Sequence, residues 1–161
     1  MHDEEQNDDA VKLAALPSYL GYQIRQAQTA VFRDIEAKMK SIGVTPGEFG
    51  LLTIVGANPG INQKTLTKLY GLDKSTLSYA VNRLMDRKWI NRRRNAEDGR
   101  YFGLWLTKVG QNKAELSTTS IEAQECLMDT VLEVGEREQL LNMLMRITTI
   151  LGNSEAQSKT S

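Results

Sequence analysis

Apolar residues recur along most of this chain at intervals of three and four, and give way to a strand-like pattern only past its middle. Leu20, Ile24, Ala27, Val31 and Ile35 are spaced four, three, four and four, which predicts a long helix from about Ser18 to Ser41, ended by Gly43. Thr45, Pro46 and Glu48 predict a helix cap with proline in the first turn. The short helix they open runs through Phe49, Leu52 and Val55 until Asn58-Pro59-Gly60 stops it. A third helix, about Gln63 to Tyr70, is followed by Gly71 and Leu72, and Asp73 then stands where an N-cap would start a fourth. Two short helices joined through a glycine-containing turn predict a helix-turn-helix. In the fourth helix Leu77, Ala80, Val81 and Leu84 share an inward face, while Ser75, Ser78, Tyr79 and Asn82 recur on an outward one.

After Trp89 the pattern changes to a short strand, Ile90 to Arg94, a polar tip at 95–100, and a second strand, Tyr101 to Leu106. This is a β-hairpin wing. Helical spacing returns from Lys108 to about Val134 and again from Glu136 to Leu151, where Leu140, Leu144, Ile147 and Leu151 are spaced four, three and four. The expected fold class is mainly α with a small β-hairpin wing, a winged helix-turn-helix flanked by N- and C-terminal dimerisation helices. The expected divisions are an acidic, disordered start at 1–15, an N-terminal dimerisation helix at 16–44, and the winged helix-turn-helix at 45–107. C-terminal dimerisation helices at 108–152 and a flexible polar tail at 153–161 complete the chain.

Charge changes the picture, because it is unevenly spread. The whole chain is formally neutral, yet 64–108 carries 11 Lys or Arg against four acids, a net of +7 balanced by −7 elsewhere. A basic module set in acidic helices is what a phosphate-binding face on a neutral protein requires. The 161 residues leave room for one domain with helical extensions. No apolar run approaches the roughly 20 residues that cross a bilayer, and the acidic start is unlike a basic signal peptide, so the expected location is cytoplasmic with no membrane partner. One histidine, His2, and one cysteine, Cys126, provide no metal-ligand cluster, and no cofactor is expected. The neighbours of Cys126 (Gln124, Glu125, Leu127, Met128) offer no cation to activate a redox thiol. With no histidine in the folded part, no phosphate-cradling glycine loop and no nucleophile elbow, an enzyme is not expected.

The most specific residues are Asp98-Gly99-Arg100 leading into Leu104-Trp105-Leu106-Thr107-Lys108-Val109-Gly110. They resemble the Asp-x-Arg wing signature and following Leu-Thr-x-x-Gly of the multiple antibiotic resistance regulator (MarR) family. Leu72 to Leu77 and Arg83 to Ile90 are similar to that family's recognition helix and its passage into the wing, and the order of elements agrees over about 18–151. Gly99 departs from the pattern where members often carry a second arginine, which removes one wing contact. The resemblance implies a dimeric transcriptional regulator that binds double-stranded DNA, more often a repressor, with the terminal helices forming the homodimer.

An α-helix fits the major groove, so the outward face of the fourth helix is where base readout is expected. Lys74, Ser75, Thr76, Ser78, Tyr79, Asn82 and Arg83 are the candidates, with Asn82 and Arg83 for base edges and the hydroxyls near the helix start for phosphates. Helix-start capping is the competing role for Ser75 and Thr76. Arg92 and Arg94 share one side of a strand, and Arg100 at the tip is suited to the narrow minor groove, with Asp98 positioning it. Members of the resembling family often release DNA when a small, frequently aromatic, acid or related metabolite enters a crevice beside the dimerisation helices. Tyr22, Arg25, Gln26, Phe49, Leu52 and Thr53 are the candidates for such an effector site, as an aromatic wall and a cation for a carboxylate or thioester. The stretch Leu20 to Ala27 is similar to regulators of aromatic-acid catabolism. The alternative function is a winged-helix interaction module whose basic face meets a protein or RNA.

Overall fold

A computed structural model describes residues 11–70, 73–94 and 102–158, with side chains described as far as residue 152. A single 3-10 turn, Leu16–Ser18, leads into α1 (Leu20–Met39), followed by α2 (Pro46–Ala57), β1 (Ile61–Asn62), α3 (Gln63–Tyr70) and α4 (Lys74–Asp86). Then come β2 (Ile90–Arg94), β3 (Phe102–Leu106), α5 (Lys108–Asp129) and α6 (Glu136–Ser158). The fold is mainly helical with a small antiparallel sheet, as the spacing of apolar residues predicts.

Local chemistry accounts for where the helices begin. At α2 the Thr45 hydroxyl accepts from the Glu48 N–H while the Glu48 carboxylate accepts from the Thr45 N–H, a reciprocal capping box with Pro46 in the first turn. At α4 one Asp73 carboxylate oxygen accepts from the Ser75 and Thr76 N–H groups, both at 2.9 Å. At α5 Thr107 caps by accepting from the Gly110 N–H. Gly110 is required there for a second reason: a Cβ at this position would lie 2.0 Å from the Trp89 carbonyl oxygen.

The core lies where α1, α2, α3, α4 and the sheet converge, with Met39, Leu52, Leu66, Leu77, Leu84 and Leu104 essentially inaccessible to water. Burying one such side chain contributes about 2 kcal/mol, so Leu77 and Leu84 hold α4 firmly on its scaffold.

Three expectations are corrected in detail. The wing is part of a three-stranded sheet of order β1-β3-β2, because Ile61 pairs with Leu104 and Asn62 with Gly103. A side chain at Gly103 would meet the Gly60 carbonyl oxygen at 2.5 Å, which explains a glycine inside this strand. Helix α5 ends at Asp129 rather than near Val134, since Thr130 and Val131 turn back onto the carbonyls of Leu127 and Met128 and Val134 is fully exposed. Helix α6 continues past Leu151 to Ser158, through residues whose small polar character resembles a frayed end.

Among the described residues, helix α6 buries none of its side chains and packs closely against no other element. Its leucines and methionines at 140, 141, 143, 144 and 145 are all more than a third exposed. Arg137 tethers its first turn to α5, pairing with Glu125 at 2.5 Å and with Asp129. No described helix is long and apolar enough to cross a membrane.

Candidate nucleic-acid interface

The outward side of α4 divides into two stripes with different neighbours. Lys74, Ser78 and Asn82, one helical turn apart, line a cavity of about 580 Å³ together with Arg92 of β2 and Gln63, Lys64, Thr67 and Lys68 of α3. Four cations therefore surround a groove with no carboxylate among its lining residues. Tyr79 and Arg83 lie on the other stripe, beside Thr45, Glu48 and Tyr70. Tyr79 is 71 % exposed, which leaves its ring free for an external partner.

Ser75 and Thr76 are committed within the protein. The Ser75 hydroxyl and the Thr76 hydroxyl (2.6 Å) both donate to the Asp73 carboxylate, in addition to the two backbone donors. These four bonds, the hydroxyl ones foremost, hold the Asp73 carboxyl far below the usual carboxylate range. Both side chains serve the capping role in the unliganded chain, and a phosphate would have to displace Asp73 to receive their hydroxyl protons.

Arg83 is likewise partly engaged: its Nε lies 3.1 Å from Glu48 Oε1, an oxygen that also accepts from Arg87 Nη1 at 3.0 Å. Glu48 is 6 % exposed, whereas the Arg83 side chain remains 48 % exposed, so the other guanidinium nitrogens stay accessible. Arg87 also donates to the Gly43 carbonyl at 2.7 Å and stacks its guanidinium 3.7 Å above the Trp89 ring. The end of α4 is thereby fastened to the α1–α2 turn and to the base of β2.

On β2, Arg92 and Arg94 alternate with Arg93, pairing across to Leu104 and Phe102, and all three are exposed. Arg92 Nη2 donates to Gln63 Oε1 at 2.7 Å, and Arg94 lies 6.0 Å from the Phe102 ring. Asp98 and Arg100, expected at the wing tip, lie outside the described residues.

The MarR family's sequence profile matches residues 42–100, a span that contains α2 through β2. A Thauera aromatica protein named for regulation of the hcr operon is 28 % identical over 144 residues, covering 88 % of this chain and 87 % of its own length. The repressor CouR bound to a 23-mer DNA duplex superposes with a TM-score of 0.78 at 28 % identity, covering 86 % of this chain and 98 % of CouR. The chain is thus similar to transcriptional regulators of the MarR type over most of its length. CouR bound to p-coumaroyl-CoA is equally similar, with a TM-score of 0.79 at 27 % identity over 86 % of this chain and 97 % of that one. These relatives are regulators, and the matched segment contains the α3–α4 unit and β2.

Within this MarR frame, α3 supplies groove residues that the outward-face reading of α4 alone omits: Gln63, Lys64, Thr67 and Lys68. Their signal was Lys64 and Lys68 one turn apart at the start of the basic segment. The effector candidates are more scattered. On α1 Tyr22 is half-buried and accepts from Gln26 Nε2 at 3.3 Å, while Arg25 is exposed. On α2 Phe49 is half-buried against the core, Thr53 is exposed, and Leu52 is wholly buried inside the core. The cavities along α4, including the cationic groove, are lined by other residues.

Proposed function

We propose that this protein acts as a homodimeric repressor that occupies a palindromic operator and leaves it when an aromatic acid or its CoA thioester binds. The observation that carries this reading is the likeness, over nearly the full length of both chains, to CouR in its DNA-bound and p-coumaroyl-CoA-bound forms. The exposed apolar face of α6, with Leu140, Leu144 and Leu151 unburied, supports a second copy as its cover. One recognition helix offers few base contacts, and two copies about one helical turn apart supply the specificity a single copy lacks.

In this proposal Lys74, Ser78, Tyr79, Asn82 and Arg83 enter the major groove, with Ser75 and Thr76 at the phosphate edge. Arg92 and Arg94 follow the backbone, and Arg100 reaches the minor groove from a tip held by Asp98. Tyr22, Arg25, Gln26, Phe49 and Thr53, backed by Leu52, bind the effector, with Arg25 facing its carboxylate or phosphate groups.

The test is titration of the operator complex with p-coumaric acid, its CoA thioester and an aliphatic thioester, for wild type and Arg25→Ala. Release by an aromatic compound, weakened at least tenfold in the variant, is the expected result. An operator complex indifferent to all three compounds refutes the effector assignment.

A further inference from the structure

Gln63 joins the recognition helix to the wing. It is the first residue of α3, half-buried, and its side-chain amide uses both ends: Nε2 donates to Ser78 Oγ at 2.6 Å and Oε1 accepts from Arg92 Nη2 at 2.7 Å. The orientation of the amide is dictated by chemistry. A guanidinium only donates, so the carbonyl end must face Arg92 and the NH₂ end must face Ser78. Ser78 therefore accepts from Gln63, and its own hydroxyl proton remains available to a partner in the groove.

Both residues reached by Gln63 line the same cationic groove as Lys74 and Asn82, yet they come from different elements, α4 and β2. Without the bridge, Arg92 is an exposed side chain on an edge strand with many rotamers, and Ser78 is free to turn its proton inward. We infer that Gln63 is a positioning residue for DNA specificity, which presents Ser78 as a donor and holds Arg92 beside it. The inference rests on the DNA-binding reading of this face.

The experiment is a thermodynamic cycle on duplex binding. Gln63→Met keeps the side-chain volume but removes both hydrogen-bonding ends, and Gln63→Ala repeats the measurement should the Met variant melt below the assay temperature. Each is measured in the wild-type background and in Ser78→Ala/Arg92→Met, against the selected operator and a scrambled duplex. A positioning role predicts that Gln63→Met lowers the operator-to-scrambled affinity ratio about tenfold in the wild-type background. In the doubly substituted background the same change should be nearly silent, because neighbouring groups acting as one unit are non-additive. A loss of equal size in both backgrounds, or no loss in either, overturns the inference. Wild type that prefers no duplex would refute the DNA-binding reading itself, a result distinct from both.

Discussion

Replacing Glu48 by alanine is expected to unfasten the recognition helix from the rest of the domain. The carboxylate accepts from the Thr45 N–H at 2.9 Å, Arg87 Nη1 at 3.0 Å and Arg83 Nε at 3.1 Å while being almost fully buried. Loss of the capping-box half costs about 1 kcal/mol. Removing one member of a fully buried pair costs about 3–5 kcal/mol. Here the arginine side chains are 48 % and 34 % exposed and regain water when the carboxylate is gone, so the ionic part falls to about 1–2 kcal/mol. The total, about 2–3 kcal/mol, corresponds to a melting point lower by roughly 4–10 °C for a domain of this size. Glu48→Gln keeps one acceptor and should lose about half as much, by the ordinary strength of hydrogen bonds to charged groups. Thermal melts at fixed protomer concentration, followed by far-UV circular dichroism, measure both. A Glu48→Ala protein melting within about a degree of wild type would refute the assignment of Glu48 as an anchor.

Three further outcomes are expected. Gly110→Ala places a methyl group 2.0 Å from the Trp89 carbonyl oxygen, a backbone atom that cannot swing away; the variant should melt well below wild type by calorimetry, whereas Gly152→Ala, with open space around it, should not. Asp73 has its carboxyl pKa lowered from an ordinary 3.8 by the Ser75 and Thr76 hydroxyls. Its folded-state value lies below the unfolded one, so its stabilisation is complete above 3.8 and is lost as pH falls below it. The melting-point gap between wild type and Asp73→Ala should thus be constant from neutral pH to about 4 and shrink below that; a gap that closes nearer neutrality contradicts the cap. Leu144→Asp on the uncovered face of α6 should convert a species of twice the chain mass into a single chain in sedimentation velocity and weaken operator binding; a wild type that sediments as a single chain contradicts the dimer.

The elements legible from sequence are those specified by near neighbours. Thr45, Pro46 and Glu48 announce α2, and Asp73 announces α4, because each cap is closed by groups within three residues. The features that escaped are made by distant partners. Strand β1 has two residues, too few for a period, and exists through pairing with Gly103 and Leu104 some forty positions away. Glu48 reads as a helix cap, but its second role depends on Arg83 and Arg87 arriving from α4. Gln63 bonds to residues 15 and 29 positions further on. Leu52 illustrates the opposite error: α2 is apolar nearly all round, so spacing does not separate a core leucine from one facing a crevice.

The central claim is that the groove formed by α3, α4 and β2 reads DNA sequence, and selection of bound duplexes from a random pool tests it most directly. Wild type should enrich a palindromic consensus whose affinity falls steeply with salt. Asn82→Ala should relax base preference at one symmetric pair of positions, and Lys74→Ala should weaken all duplexes alike and reduce the salt slope by about one per protomer. Failure of wild type to enrich any duplex, or the same consensus from Asn82→Ala and Lys74→Ala at undiminished affinity, would contradict the account.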